Sequence, residues 1–165
     1  MRSFRRGALG VAALITLLSL PACGAAGKNE PGGHEGSVRV GALAVPIPRG
    51  FNKRVIRGRQ DLLGLLVTDY RVKPGSPTLT AGIFPPNRVA LSVARGDKLA
   101  APPPLRLPLS VTELGPQRHP DGTAWNGAFA FHGRLYAVSF WVGNGSPRED
   151  RAAIRKTLSS IRAEQ

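Results

Sequence analysis

Cys23 is the only thiol in the 165 residues, and it ends the run Leu20-Pro21-Ala22-Cys23. One cysteine can form no intrachain disulfide, offers at most one soft metal ligand, and is a nucleophile only as its thiolate. The other groups able to do chemistry are dispersed. The three histidines are His34, His119 and His132, and no two share a spacing at which a pair of imidazoles grips one metal ion. His119 with Asp121 is the nearest approach to an acid–base pair, but a turn at Pro120-Asp121-Gly122 accounts for the same residues. No serine stands in a nucleophile-elbow sequence. Asp61, Asp69, Asp97, Glu113 and Asp121 are isolated from one another, whereas glycoside hydrolysis needs two carboxylates facing one cleft. Gly143-Asn144-Gly145 precedes a predicted helix, as phosphate loops do, yet lacks the Gly-Lys-Ser/Thr ending. These residues predict no catalytic set, no metal site and no cofactor.

Around Cys23 the pattern is more specific. Arg2, Arg5 and Arg6 give a basic start. Gly7 to Leu20 follows as a run of 14 residues whose only polar members are Thr16 and Ser19. A membrane span needs about 20 residues, so this length suits the apolar region of an export signal instead. With small Ala22 before the thiol, the segment resembles the lipobox of bacterial lipoprotein precursors. That resemblance implies a lipoprotein signal peptide over residues 1–22, cleavage before Cys23, and a diacylglyceryl thioether on Cys23. The protein would then be lipid-anchored in the cell envelope, on the outer face of the cytoplasmic membrane. Plain cleavage without lipidation is the alternative. Arg5-Arg6 could also open a twin-arginine signal, but Gly7-Ala8-Leu9 fits that pattern poorly, so the general secretion route is expected. An oxidising compartment permits disulfides. On that resemblance the lone thiol would be spent on the lipid, and the mature chain would rely on its own core.

Residues 23–36 read as a lipidated flexible tether, because Gly24 to Gly36 contains no large apolar side chain. Thirteen such residues span roughly 20 Å on average. Residues 37–165 are then long enough for a single α+β domain with its own core. The whole chain carries a net charge of +13, and without Arg2, Arg5 and Arg6 it carries +10. Such a charge attracts anionic lipid, wall polymer or acidic protein. The arginines are scattered, however, and abundant Arg, Ala, Gly and Pro also reflect GC-rich codon usage. Nucleic-acid binding, which needs a basic stripe with interleaved aromatics, is not expected.

The elements that must position any site follow from periodicity. Alternation predicts strands over Ser37–Val45, Arg54–Arg57, Leu62–Val72, Thr78–Phe84, Arg88–Ala94 and Leu109–Leu114. Lys98 to Pro108, with Pro102-Pro103-Pro104, reads as a stiff loop. Thr123–Phe131 and Arg134–Val142 form a hairpin about His132-Gly133. Its second strand is apolar on both faces, which marks a central or doubly covered strand. Ser146-Pro147-Arg148-Glu149 predicts a helix opened by a capping box, with Ile154, Leu158 and Ile161 on one stripe. That helix should lie across the hairpin, with either Phe140 or Trp141 meeting Leu158. The class is α+β: a largely antiparallel sheet of about six or seven strands covered by a C-terminal helix.

Three stretches carry a second resemblance. They are Val45-Pro46-Ile47-Pro48-Arg49-Gly50-Phe51, Val142-Gly143-Asn144-Gly145-Ser146 and Leu158-Ser159-Ser160-Ile161-Arg162. Their order is similar to that of small actinobacterial lipoproteins and of the Mog1/PsbP-like α+β fold. That likeness implies a fold and an accessory, non-catalytic habit, and it carries over no functional residue besides Cys23. The expected function is a non-enzymatic binding or accessory module for an envelope protein or an anionic envelope component. The alternative is a carrier holding an apolar ligand or lipid between sheet and helix, suggested by Leu62–Val67 and the two-faced hairpin. An envelope hydrolase would need a clustered polar site.

Overall fold

The computed structural model of the protein describes residues 36–57, 62–80, 82–96 and 105–163. The signal segment, Cys23, His34, Asp61, Asp97 and the triple proline lie outside the described residues.

The α+β class holds, with the strands divided between two antiparallel sheets. The larger has six strands: β3 (Asn52–Arg57), β4 (Leu62–Thr68), β5 (Val89–Gly96), β6 (Gly115–His119), β7 (Gly122–Phe131) and β8 (Arg134–Gly143). Their order is β3-β4-β5-β8-β7-β6. The second sheet has the order β1-β2-β9, built from β1 (Gly36–Val40), β2 (Leu43–Ile47) and β9 (Arg162–Ala163). The helices are a single turn, α1 (Pro77–Thr80), and α2 (Arg148–Ser159).

The β7–β8 hairpin forms as its sequence predicts, with Phe131 opposite Arg134 and the chain turning at His132-Gly133. Both turn residues have positive φ, 47° and 70°, the backbone that a two-residue hairpin loop favours. β8 is central, and it carries buried side chains on both faces. Tyr136, Val138, Phe140 and Val142 enter the main core with Ile154 and Leu158 of α2. Trp141 joins a smaller cluster with Leu66, Val72 and Ala90 on the outer face. It is therefore Phe140 that shares the core with Leu158.

The main core lies between the inner face of the large sheet and a layer made of α2 and the β1–β2 hairpin. Val40, Leu43, Val45, Val67, Val89, Leu91, Phe140, Ile154 and Leu158 are all fully buried there. Burying each such side chain stabilises the fold by about 1.5–3 kcal/mol, before the entropy of ordering the chain is charged against it. Tyr136 ties the two sheets together, its hydroxyl oxygen accepting from Ala42 N–H at 3.0 Å.

Several expectations are corrected. The strand expected over Ser37–Val45 is two strands, reversed at Gly41-Ala42, where Gly41 has φ +61°. Gly36, expected to lie before the domain, begins β1. The strand expected over Leu62–Val72 stops at Thr68. Thr78–Phe84 is not a strand. Pro77 opens the one-turn α1 because its ring presets helical φ, and Gly82 at φ +64° turns the chain away. Leu109–Leu114 is a 3-10 turn over Val111–Glu113, opened by a Ser110/Glu113 capping box. The capping box expected at the start of α2 is absent. The cap position is Pro147, without a side-chain bond, and Ser146 donates its hydroxyl to Gly143 O at 2.7 Å.

Candidate functional site

β4, β5, β7 and β8 meet at one end of the large sheet, where Thr68 faces Ala90, Val89 faces Val142 and Gly122 faces Gly143. Between β4 and β5 the chain runs out as the segment 69–88 and folds over the outer face. Tyr70, Val72 and Phe84 from this segment cover Leu66, Ala90 and Trp141. Trp141 is held on two sides. Its ring stacks on Phe84 with centroids 5.7 Å apart, and its indole N–H donates to Pro85 O at 3.2 Å.

The segment encloses a groove of about 410 Å³, open to solvent. Val72, Pro77, Ile83, Phe84, Pro85 and Pro86 make its apolar lining, and Arg71, Lys73 and Asp121 bring charge to it. Ile83 is 60 % exposed, a large apolar side chain offered to solvent. The groove keeps its shape through a relay of hydroxyls. Tyr70 Oη and Thr78 Oγ1 share a hydrogen bond of 3.1 Å, and Thr78 Oγ1 donates to Ile83 O at 2.9 Å. Burial raises the Tyr70 phenol above its ordinary value, and the bond to Thr78 partly opposes this.

The base of the segment is fastened to the sheet by Asp69. Its side chain is only 4 % exposed. Oδ1 accepts from Val89 N–H at 3.0 Å, while Oδ2 has no hydrogen bond and faces the Arg88 guanidinium at 3.7 Å. Burial raises the Asp69 carboxyl above the usual carboxylate range, against the Val89 bond and Arg88, which lower it. On the other side Gly143, which ends β8, and Gly145 of the loop that follows receive the segment. Gly143 N–H donates to Arg88 O at 2.9 Å and Gly145 N–H to Pro86 O at 2.8 Å. A Cβ at Gly143 would run into the Pro86 carbonyl.

These bonds settle the role of the glycine loop before α2. Gly143, Asn144 and Gly145 donate their amides to Arg88 O, Asp121 O and Pro86 O, so the N–H groups a phosphate would need are already engaged. His119 lies exposed on edge strand β6 with its ring 5.7 Å from that of Trp141, and Asp121 occupies the adjoining turn. His132 is far away, at the tip of the β7–β8 hairpin, stacked on Phe131. Glu113 is used by the 3-10 turn, accepting from Ser110 N–H. Among the described residues no three His, Cys, Asp or Glu side chains are gathered around a point that could hold a metal ion. No described helix is long and apolar enough to cross a membrane.

Arginine clustering is partial. Arg54 donates to Val72 O at 3.4 Å, and Arg71 and Arg88 flank the same segment. Arg134 stands at the opposite end of β8. A second open depression, of about 440 Å³, runs between Pro108–Val111 and the Arg155, Lys156 and Ser159 face of α2. Residue spacing did not single out Asp69, Tyr70, Arg71, Lys73 or Ile83. The available signal was the polar pair Asp69-Tyr70 ending an apolar strand. No known protein family, curated protein or solved structure matches this chain.

Proposed function

We propose that the protein is a lipid-anchored envelope module that binds a ligand without transforming it, and that the groove over the outer sheet face is its contact surface. The anchor is the thioether on Cys23, as the lipobox-like sequence before it implies. The observation that carries the reading is the composition of the groove. Its floor is proline and aromatic surface held by backbone bonds, and its free charges are the exposed cations Arg71 and Lys73 with one acid, Asp121. Such a surface favours an anionic ligand with apolar parts. The layer between sheet and α2 is filled by fully buried side chains, which directs the search for a ligand to the surface groove rather than to the interior.

Two measurements test this. Metabolic labelling with a fatty-acid probe should mark wild type, while Cys23→Ala should lose both label and membrane retention. Retention of either in the variant defeats the anchor. Crosslinking of envelope components to wild type should be lost in Arg71→Glu/Lys73→Glu, and equal yield from both proteins defeats the groove.

A further inference from the structure

We propose that the anionic ligand of the groove is the phospholipid headgroup layer itself, so that the domain rests end-down on the bilayer with Ile83 set among the headgroups. The inference depends on the reading that Cys23 holds the chain to the membrane. It adds which end of the fold faces the lipid.

The first observation is where the chain enters the fold. Gly36 pairs with Ile47. After Ile47 a tight turn closes with Phe51 N–H donating to Pro48 O at 3.1 Å, and Asn52 then pairs with Thr68. Gly36 therefore lies at the same end of the molecule as Asp69, the segment 69–88 and the groove. Cys23 stands 13 residues before Gly36, and a random chain of that length spans roughly 20 Å on average. β8 carries 10 residues from Arg134 to Gly143, which sets the β7–β8 hairpin tip about 30 Å beyond the groove end. A link of this length attached at this end brings the groove end to the bilayer more readily than the hairpin tip.

The second observation is what that end displays. Arg49 is exposed in the turn beside Gly36, and Arg71 and Lys73 are exposed on the groove. Asp69 is buried against Arg88 and offers no free charge, which leaves Asp121 as the acid on the groove, with Glu149 and Asp150 at the start of α2 beside Arg148 and Arg151. Ile83 projects from the same lining. Cations around one exposed aliphatic side chain, close to a lipidated residue, give this end of the domain its own attraction to anionic headgroups beside the anchor.

The test uses the full chain as the cell makes it, purified from membranes and placed on vesicles of phosphatidylcholine alone or mixed with phosphatidylglycerol. Once Cys23 is alkylated by lipid, a cysteine introduced by Pro74→Cys or by Arg134→Cys is the sole free thiol, and it takes an environment-sensitive fluorophore. The expected result is a blue-shifted, several-fold brighter probe at position 74 on phosphatidylglycerol vesicles, quenched by spin-labelled lipid. The probe at position 134 should stay water-like on both. Neutralising Arg71 and Lys73 to Gln should lower the docked-to-undocked ratio roughly fivefold per cation, and Ile83→Ser should lower it further, with all variants still vesicle-bound. A water-like probe at 74 on vesicles that retain the protein overturns the docking and leaves the anchor standing. Loss of the protein from both vesicle types overturns the anchor and the docking together. Burial of the probe only after an envelope protein extract is added assigns the groove to a protein partner and also overturns the proposal.

Discussion

The two faces of the large sheet are covered in different ways. The inner face is sealed by α2 and the β1–β2 hairpin, with side chains such as Leu43, Leu91, Ile154 and Leu158 wholly removed from water. The outer face is covered by the segment 69–88, whose few apolar contacts centre on Trp141 and which depends on backbone bonds to Gly143 and Gly145. The same strands serve both sides: Leu65 and Val67 of β4 point inward and Leu66 outward. One face holds the fold together. The other carries a covering with little of the core's packing, which leaves side chains such as Ile83 and Arg71 available for contact.

The sharpest way to break this contrast is to cut into each face. Leu158→Ala should cost about 2–5 kcal/mol, as expected for a fully buried leucine, read as a lower urea midpoint. Phe84→Ala should cost less, about 1–2 kcal/mol, because Phe84 is only half-buried and its site opens to solvent. Equal costs would mean that the outer cover is part of the core. Gly143→Ala should cost about 1–3 kcal/mol by pushing a methyl group into the Pro86 carbonyl. It should also release the segment 69–88, seen as faster exchange of the Gly145 amide, which donates to Pro86 O, and of the Arg88 amide, which donates to Pro85 O, with α2 unchanged. Tyr136→Phe, which removes the acceptor of Ala42 N–H, should cost about 0.5–1.5 kcal/mol and loosen the inner hairpin while leaving the groove intact.

The smallest effect is in pH dependence. Burial raises the Asp69 carboxyl above its ordinary 3.8, so its charged form is disfavoured in the folded state. Its contribution to stability is fully present below 3.8 and is lost as pH rises through the raised value. Asp69→Asn keeps an oxygen for Val89 N–H and removes the charge. The variant should therefore gain stability relative to wild type as pH rises through that window, followed by thermal melts at matched ionic strength. A constant difference between the two proteins would show that Asp69 does not titrate abnormally.

The contrast between the faces also explains which parts of the fold were legible in the sequence. The β7–β8 hairpin and the apolar stripe of α2 were, because there local pattern and tertiary packing ask for the same residues. Gly41 was readable as a turn but sat inside an apparent alternation, so Val40 and Leu43 looked like one strand when each packs inward from its own. The Ser110/Glu113 capping box was visible as a spacing and hidden by flanking leucines. β6 was not legible, since Gly115-Pro116-Gln117-Arg118-His119 is exposed throughout and owes its extended form to pairing with β7. The groove was the least legible part. It is made by a segment that is irregular in sequence and takes its shape from Gly143, Gly145 and Trp141, more than 50 positions away. The resemblance that suggested an envelope location bears on Cys23 alone, outside the described residues.

The bond from Ala42 to Tyr136 joins residues 94 positions apart, and Leu43 pairs with Ala163 in β9. The hairpin that opens the fold thus waits for strands synthesised last. Contacts so distant along the chain form slowly, because a long loop must close before they give any return. β1 and β2 can pair with each other as soon as both are made, but the other edge of β2 and the Ala42 N–H wait for β9 and Tyr136, so the fold is closed by its C-terminal residues.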